Sequence, residues 1–131
     1  MKPSIGLVFG TVLALLMTVH AAHAGDATVC KLHARDMLTA LDAGRFIDAT
    51  EHFDAAMRQR VTPDQLRDLW ASLSAAYGTP DPAAAVEIQH QGNYINAIVP
   101  MATGSGVALQ VTCRADDAIA GFHIVPLAAA P

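Results

Sequence analysis

Two cysteines, four histidines beyond the opening segment and a scatter of carboxylates and tyrosines are the residues of this chain with chemistry to offer. The histidines are His33, His52, His90 and His123. No two stand three or four apart, and no His-Glu-x-x-His pair occurs, so helical metal-ligand spacing is absent. His90 and His123, on strands or near strand ends, could share a sheet face, and are the best guess at zinc or acid–base work. Gly104-Ser105-Gly106 is too short for a hydrolase nucleophile elbow and lies between strands, where a hairpin turn is the plain reading. No Gly-rich phosphate loop precedes a helix, no Asn-x-Ser/Thr sequon occurs, and Asp116-Asp117 reads as a solvated turn. Trp70, Tyr77, His90 and Tyr94 are the candidates for lining a pocket between helix and sheet, although Tyr77 also continues the apolar stripe of Trp70. For proton abstraction the candidates are Asp54 or Glu87, acting with Tyr94 or His90.

The cysteines carry a sharper expectation. Cys30 falls on the apolar stripe of the first helix and Cys113 on the apolar face of the third strand. Both point toward one core, as a disulfide needs, with two buried free thiols as the alternative. Closing a loop of about 84 residues stabilises by roughly 4–5 kcal/mol in the chain-entropy model. That is a large share of the roughly 5–15 kcal/mol of a small domain. Two cysteines alone do not complete a tetrahedral zinc set, and nothing in the sequence calls for a metal or cofactor.

The elements that must position these residues begin after residue 24. Residues 1–24 have the composition of a secretory signal: Lys2, an apolar run over 5–19, then Ala22-His23-Ala24 as a small-x-small cleavage site. The run is about 15 residues, short of the roughly 20 that cross a bilayer. An uncleaved anchor is the alternative. Removing 24 of 131 residues leaves 107, one domain over 25–131. Lys2 leaves with the signal, so 7 basic residues face 12 acidic ones, a charge of −5. Nucleic-acid binding and docking on anionic membranes therefore lack an electrostatic footprint.

Residues 28–42 read as a first helix with Cys30, Ala34, Met37, Leu38 and Leu41 on one face and Asp42 elsewhere; Gly44 stops it. Residues 46–78 are the stretch around which the chain looks organised. Phe46, Ala49, Phe53 and Met57 form one stripe, with Asp54 able to cap a separate turn, so one bent helix or two short ones fit. Thr62-Pro63-Asp64-Gln65 then starts a helix with a capping box, and Gly78 stops it. Leu66, Leu69, Trp70, Leu73 and Tyr77 supply its stripe. From Ala83 the period becomes two, giving strands near 86–90, 94–101, 107–113 and 119–125. Pro100 argues for an edge position or a bulge. The expected fold is α+β: about three N-terminal helices packed on a curved four-stranded antiparallel meander.

That order, with Gly44-Arg45-Phe46, Phe53-Asp54-x-x-Met57, Leu66-x-x-x-Trp70-x-x-Leu73 and Tyr77-Gly78, resembles a known family. Gln89-x-Gln91-Gly92-Asn93-Tyr94 and Ile119-Ala120-Gly121-Phe122-x-Ile124-x-Pro126 continue the likeness over about 42–126. The chain resembles the bacterial domain-of-unknown-function family numbered 3887, of the nuclear-transport-factor-2-like (cystatin-like) cone. The resemblance implies a fold and export to periplasm or medium. It carries no catalytic residue across, although similar domains often precede an α/β-hydrolase. The functional expectation is a non-catalytic exported accessory or binding module, holding a small apolar ligand or a partner protein in the concavity between helices and sheet. A small cone-fold enzyme and a homodimer through the exposed sheet face are the alternatives.

Overall fold

A computed structural model describes residues 25–127, so the expected signal, 1–24, lies outside the described residues. Helices α1 (Ala27–Asp42), α2 (Phe46–Ala49), α3 (Ala55–Arg60) and α4 (Pro63–Tyr77) precede strands β1 (Glu87–Gln91), β2 (Tyr94–Pro100), β3 (Val107–Cys113) and β4 (Ile119–Pro126). The strands form one antiparallel sheet in chain order. The fold is α+β, with helices followed by a four-stranded meander. No helix among the described residues is long and apolar enough to cross a membrane.

Helix α1 starts one residue earlier than its periodicity predicts, because the Asp26 carboxylate accepts the Thr28 N–H at 2.8 Å and caps it. Its buried face holds Cys30, Ala34, Met37, Leu38 and Leu41 as expected, with Ala40 in addition. This helix crosses the sheet, touching β2, β3 and β4. It, and not the 46–78 stretch, is the element on which the fold is centred.

The 46–60 segment resolves into two short helices, and the reason is tertiary. Between them the backbone is drawn onto the start of β4: Ile119 N–H donates to the His52 carbonyl at 2.7 Å and Asp54 N–H to the Ile119 carbonyl at 2.9 Å. Residues 52–54 thus shield one end of the β4 edge, which would otherwise leave its amides unpaired. Asp54 then caps α3 through the Met57 N–H at 2.7 Å.

In α4 both halves of the capping box form: Gln65 N–H donates to the Thr62 hydroxyl at 3.2 Å and Thr62 N–H to the Gln65 side chain at 3.0 Å. Leu66 and Trp70 are buried, Leu73 and Tyr77 partly so, and Leu69 is exposed. The stripe is narrower than its spacing predicts because α4 packs chiefly on α2 and reaches the core along one edge.

The register sorts the sheet into two faces. Ile88, Ala97, Val111 and Phe122 lie across one row of the inner face, with Val99, Leu109 and Ile124 in the next. On the outer face Glu87, Ile98, Gln110 and His123 form a row, beside Gln89, Asn96, Thr112 and Gly121. Asn96 is buried there but satisfied: it donates to the Gln91 side chain at 3.3 Å and accepts from Thr112 at 2.8 Å. Pro100 sits at the end of an interior strand, which corrects the expected edge or bulge. Met101 N–H donates to Val107 at 3.1 Å, so by antiparallel alternation the Pro100 nitrogen faces the β1 side. There β1 ends opposite Ile98, and no ladder bond is lost.

Candidate functional site

Cys30 and Cys113 are joined, with a Cα–Cα distance of 5.9 Å, and both are wholly buried in the core. The crosslink ties α1 to the interior strand β3, so the helix that crosses the sheet is pinned to it covalently.

The histidines are sorted differently from expectation. His90 pairs with Ile95 on the inner face, whereas His123 pairs with Gln110 on the outer face. They therefore lie on opposite faces, because the register gives them opposite parity. His33 and His52 come together instead, stacked with ring centroids 3.7 Å apart and planes 7° from parallel. The His33 Nδ1–H donates to the Asp117 carbonyl at 2.8 Å, and His52 Nε2 lies 3.6 Å from an Asp36 carboxylate oxygen. The pair staples α1 to the α2–α3 connection and to the β3–β4 turn. In that turn Asp117 also accepts the Asp26 N–H at 2.7 Å, so Asp116-Asp117 is tied in as well as solvated. Among the described residues no three His, Cys, Asp or Glu side chains converge as a metal set.

The carboxylates singled out for proton transfer are otherwise engaged. Asp54, with its side chain 9 % exposed, caps α3 and lies 3.6 Å from the Arg114 guanidinium. Glu87 is exposed on edge strand β1 and accepts from Gln89 at 3.0 Å. Of the four pocket candidates, Trp70 is buried and Tyr77 packs against the core from α4. His90 and Tyr94 are exposed near the β1–β2 hairpin.

Trp70 nevertheless leads to a small, comparatively enclosed concavity. Its indole lies close enough to Asp42, the last residue of α1, to favour the ionised form of that carboxyl. Asp42 lines a cleft of about 180 Å³ between the C-terminal half of α1 and the α4–β1 connector. Leu38, Val86, Val99 and Pro80 furnish apolar walls, and Arg35, Thr39, Asp42 and Asp81 furnish polar ones. Leu38 and Val99 are buried and make a fixed floor. Arg35 binds the connector down, donating to the Pro82 carbonyl at 3.1 Å and the Ala84 carbonyl at 3.4 Å. The connector can run this way because Gly78 turns the chain out of α4 at φ +71°. Asp42 is exposed at the rim of the cleft. The desolvation it does undergo raises its carboxyl above the ordinary carboxylate value, and the Trp70 indole offsets part of that rise.

A larger groove, about 620 Å³, runs between residues 44–48 and the start of α4 around Phe46, Ile47 and Pro63. It is broad and more open, and Ile47 protrudes from it 76 % exposed. The α1–connector cleft is smaller but lies where helix meets sheet and holds the perturbed carboxyl. Those features mark ligand sites better than volume alone.

Asp42 and Arg35 are the residues that sequence reasoning missed. Their signal was present: they stand seven apart on α1, two helical turns, with Leu38 and Thr39 between them on the same side. No family model, curated protein or solved structure gives a significant match to the chain.

Proposed function

We propose that this chain is an exported, non-catalytic binding or accessory module of the nuclear-transport-factor-2-like cone type, allied to the domain-of-unknown-function family numbered 3887. It holds a small, largely apolar ligand in the cleft between α1 and the α4–β1 connector. The observation that carries this reading is that cleft: a buried apolar floor of Leu38 and Val99, a rim fastened by Arg35, and the Asp42 carboxyl at its edge. A closed apolar cavity of about 150 Å³ takes a benzene-sized molecule, so a space of about 180 Å³ suits one ring or a short branched chain. The buried crosslink supports export, because disulfides persist in oxidising compartments.

Trp70 is the only tryptophan, and its indole is near enough to Asp42 of the cleft to bear on that carboxyl's ionisation. Its proton resonance is therefore a single, assignable reporter of occupancy. Titration of the folded protein with cyclohexanol is expected to shift that resonance with a dissociation constant in the millimolar range, as for a ligand of about seven heavy atoms. Ala84→Leu, which narrows the cleft, is expected to abolish the shift. Saturable shifts confined to residues far from α1 and the connector would refute the assignment.

A further inference from the structure

We infer that the natural occupant of the α1–connector cleft is a small organic ammonium ion with a compact apolar body, its N–H donors directed at Asp42. This rests on the proposed cleft reading and deepens it. Three features of the cleft give it one electrostatic sign.

The first is the supply of free acceptors. Of the groups around it only the Trp70 indole favours the Asp42 carboxylate, where an ionised carboxylate has about four acceptor sites. None of the ion pairs found among the described residues includes Asp42 or Asp81, although Asp81 accepts the Ala83 N–H at 2.8 Å. The one cation in the lining, Arg35, already donates two hydrogen bonds to connector carbonyls and serves as a fastener. With Arg35 at +1 and Asp42 and Asp81 at −1 each, the lining carries a formal charge of −1. The second feature is position. Leu38, Thr39 and Asp42 belong to the last two turns of α1, the negative end of the helix dipole, which favours cations. The third is the apolar wall of Leu38, Val86, Val99 and Pro80, which sheds water around a bound group and strengthens its attraction to the carboxylate.

An anion at the same place meets two carboxylates and a helix C-terminus. A neutral alcohol can donate to Asp42 but does not offset its charge. The ranking follows from the lining: ammonium first, alcohol second, carboxylate last.

The test uses three ring compounds of matched size: cyclohexylamine, cyclohexanol and cyclohexanecarboxylate, titrated at pH 7.5 while the Trp70 indole resonance is followed. Cyclohexylamine is expected to bind at least ten-fold more tightly than cyclohexanol, with no saturable shift from the carboxylate. Asp42→Asn keeps the shape but removes the charge. It is expected to bring amine and alcohol to within about two-fold of each other. Asp81→Asn, farther along the rim, is expected to lose part of the preference and provides a second variant should the first perturb folding. Equal binding of amine and alcohol in the parent protein overturns the ammonium assignment and leaves the cleft reading standing. Absence of binding by all three overturns both. A ten-fold amine preference that survives in both variants also overturns the assignment, because the charge read by the amine would then lie elsewhere.

Discussion

Replacing both cysteines by alanine is the perturbation with the largest calculable effect. Cys30 and Cys113 are 83 residues apart in sequence, so the bond closes most of the described chain into a loop. Releasing such a loop in the unfolded state stabilises that state by about 4.5 kcal/mol at 25 °C. Both side chains are wholly buried, so loss of their packing adds to the effect in the same direction. For a domain of this size the midpoint of thermal unfolding is expected to fall by roughly 20–35 °C. Guanidinium titration monitored by Trp70 fluorescence separates the two contributions. The loop term acts on the unfolded chain, so the double variant should show a steeper denaturant dependence as well as a lower midpoint. A reductant cannot reach the sulfurs in the native fold, so reduction of the parent protein is expected to proceed no faster than its unfolding. A double variant within about 1 kcal/mol of the parent refutes the loop argument. So does unreduced protein whose mass shows two free thiols.

Gly78→Ala places a side chain where φ is +71° and ψ −172°, a region held almost only by glycine, with the new Cβ 2.5 Å from that of Ala102. A loss of about 2–3 kcal/mol is expected by chemical denaturation; a change below 0.5 kcal/mol would show that the connector readily re-routes. Asp54→Ala removes the cap of α3 and the partner of Arg114, and is expected to cost about 1–2 kcal/mol. The same measurement on Asp54→Asn, which retains the cap, should recover most of it. The Asp42 carboxyl titrates above its unfolded value, so the folded state binds the proton more tightly. Asp42 therefore costs stability as pH rises from the ordinary carboxylate range through its raised value. Asp42→Asn is expected to be at least as stable as the parent at pH 7, and a clear loss there contradicts the desolvation argument. Amine binding should weaken as pH falls through that same raised value, with Arg35 charged throughout and Asp81 the other acid of the lining.

Local chemistry was enough to read much of this protein from the chain alone. The Thr62–Gln65 box and the Gly78 stop delimit α4, because capping is decided within one turn. Strict alternation from residue 107 to 113 puts Val111 and Cys113 inward, and helical spacing puts Cys30 inward, so the crosslink followed from two periodicities. Long-range placement was not readable in that way. The break between α2 and α3 comes from hydrogen bonds to Ile119, a residue more than sixty positions away. His90 and His123 part company because ladder register, which no single strand encodes, fixes their faces. His33 and His52 meet only once α1 and the α2–α3 connection lie side by side. Asp42 looks like one more polar residue at a helix end until the fold sets the Trp70 indole near it and the connector opposite it, at the rim of a cleft. Periodicity and capping depend on neighbours in the chain. The cleft depends on which distant surfaces the core brings into contact, and packing alone decides that.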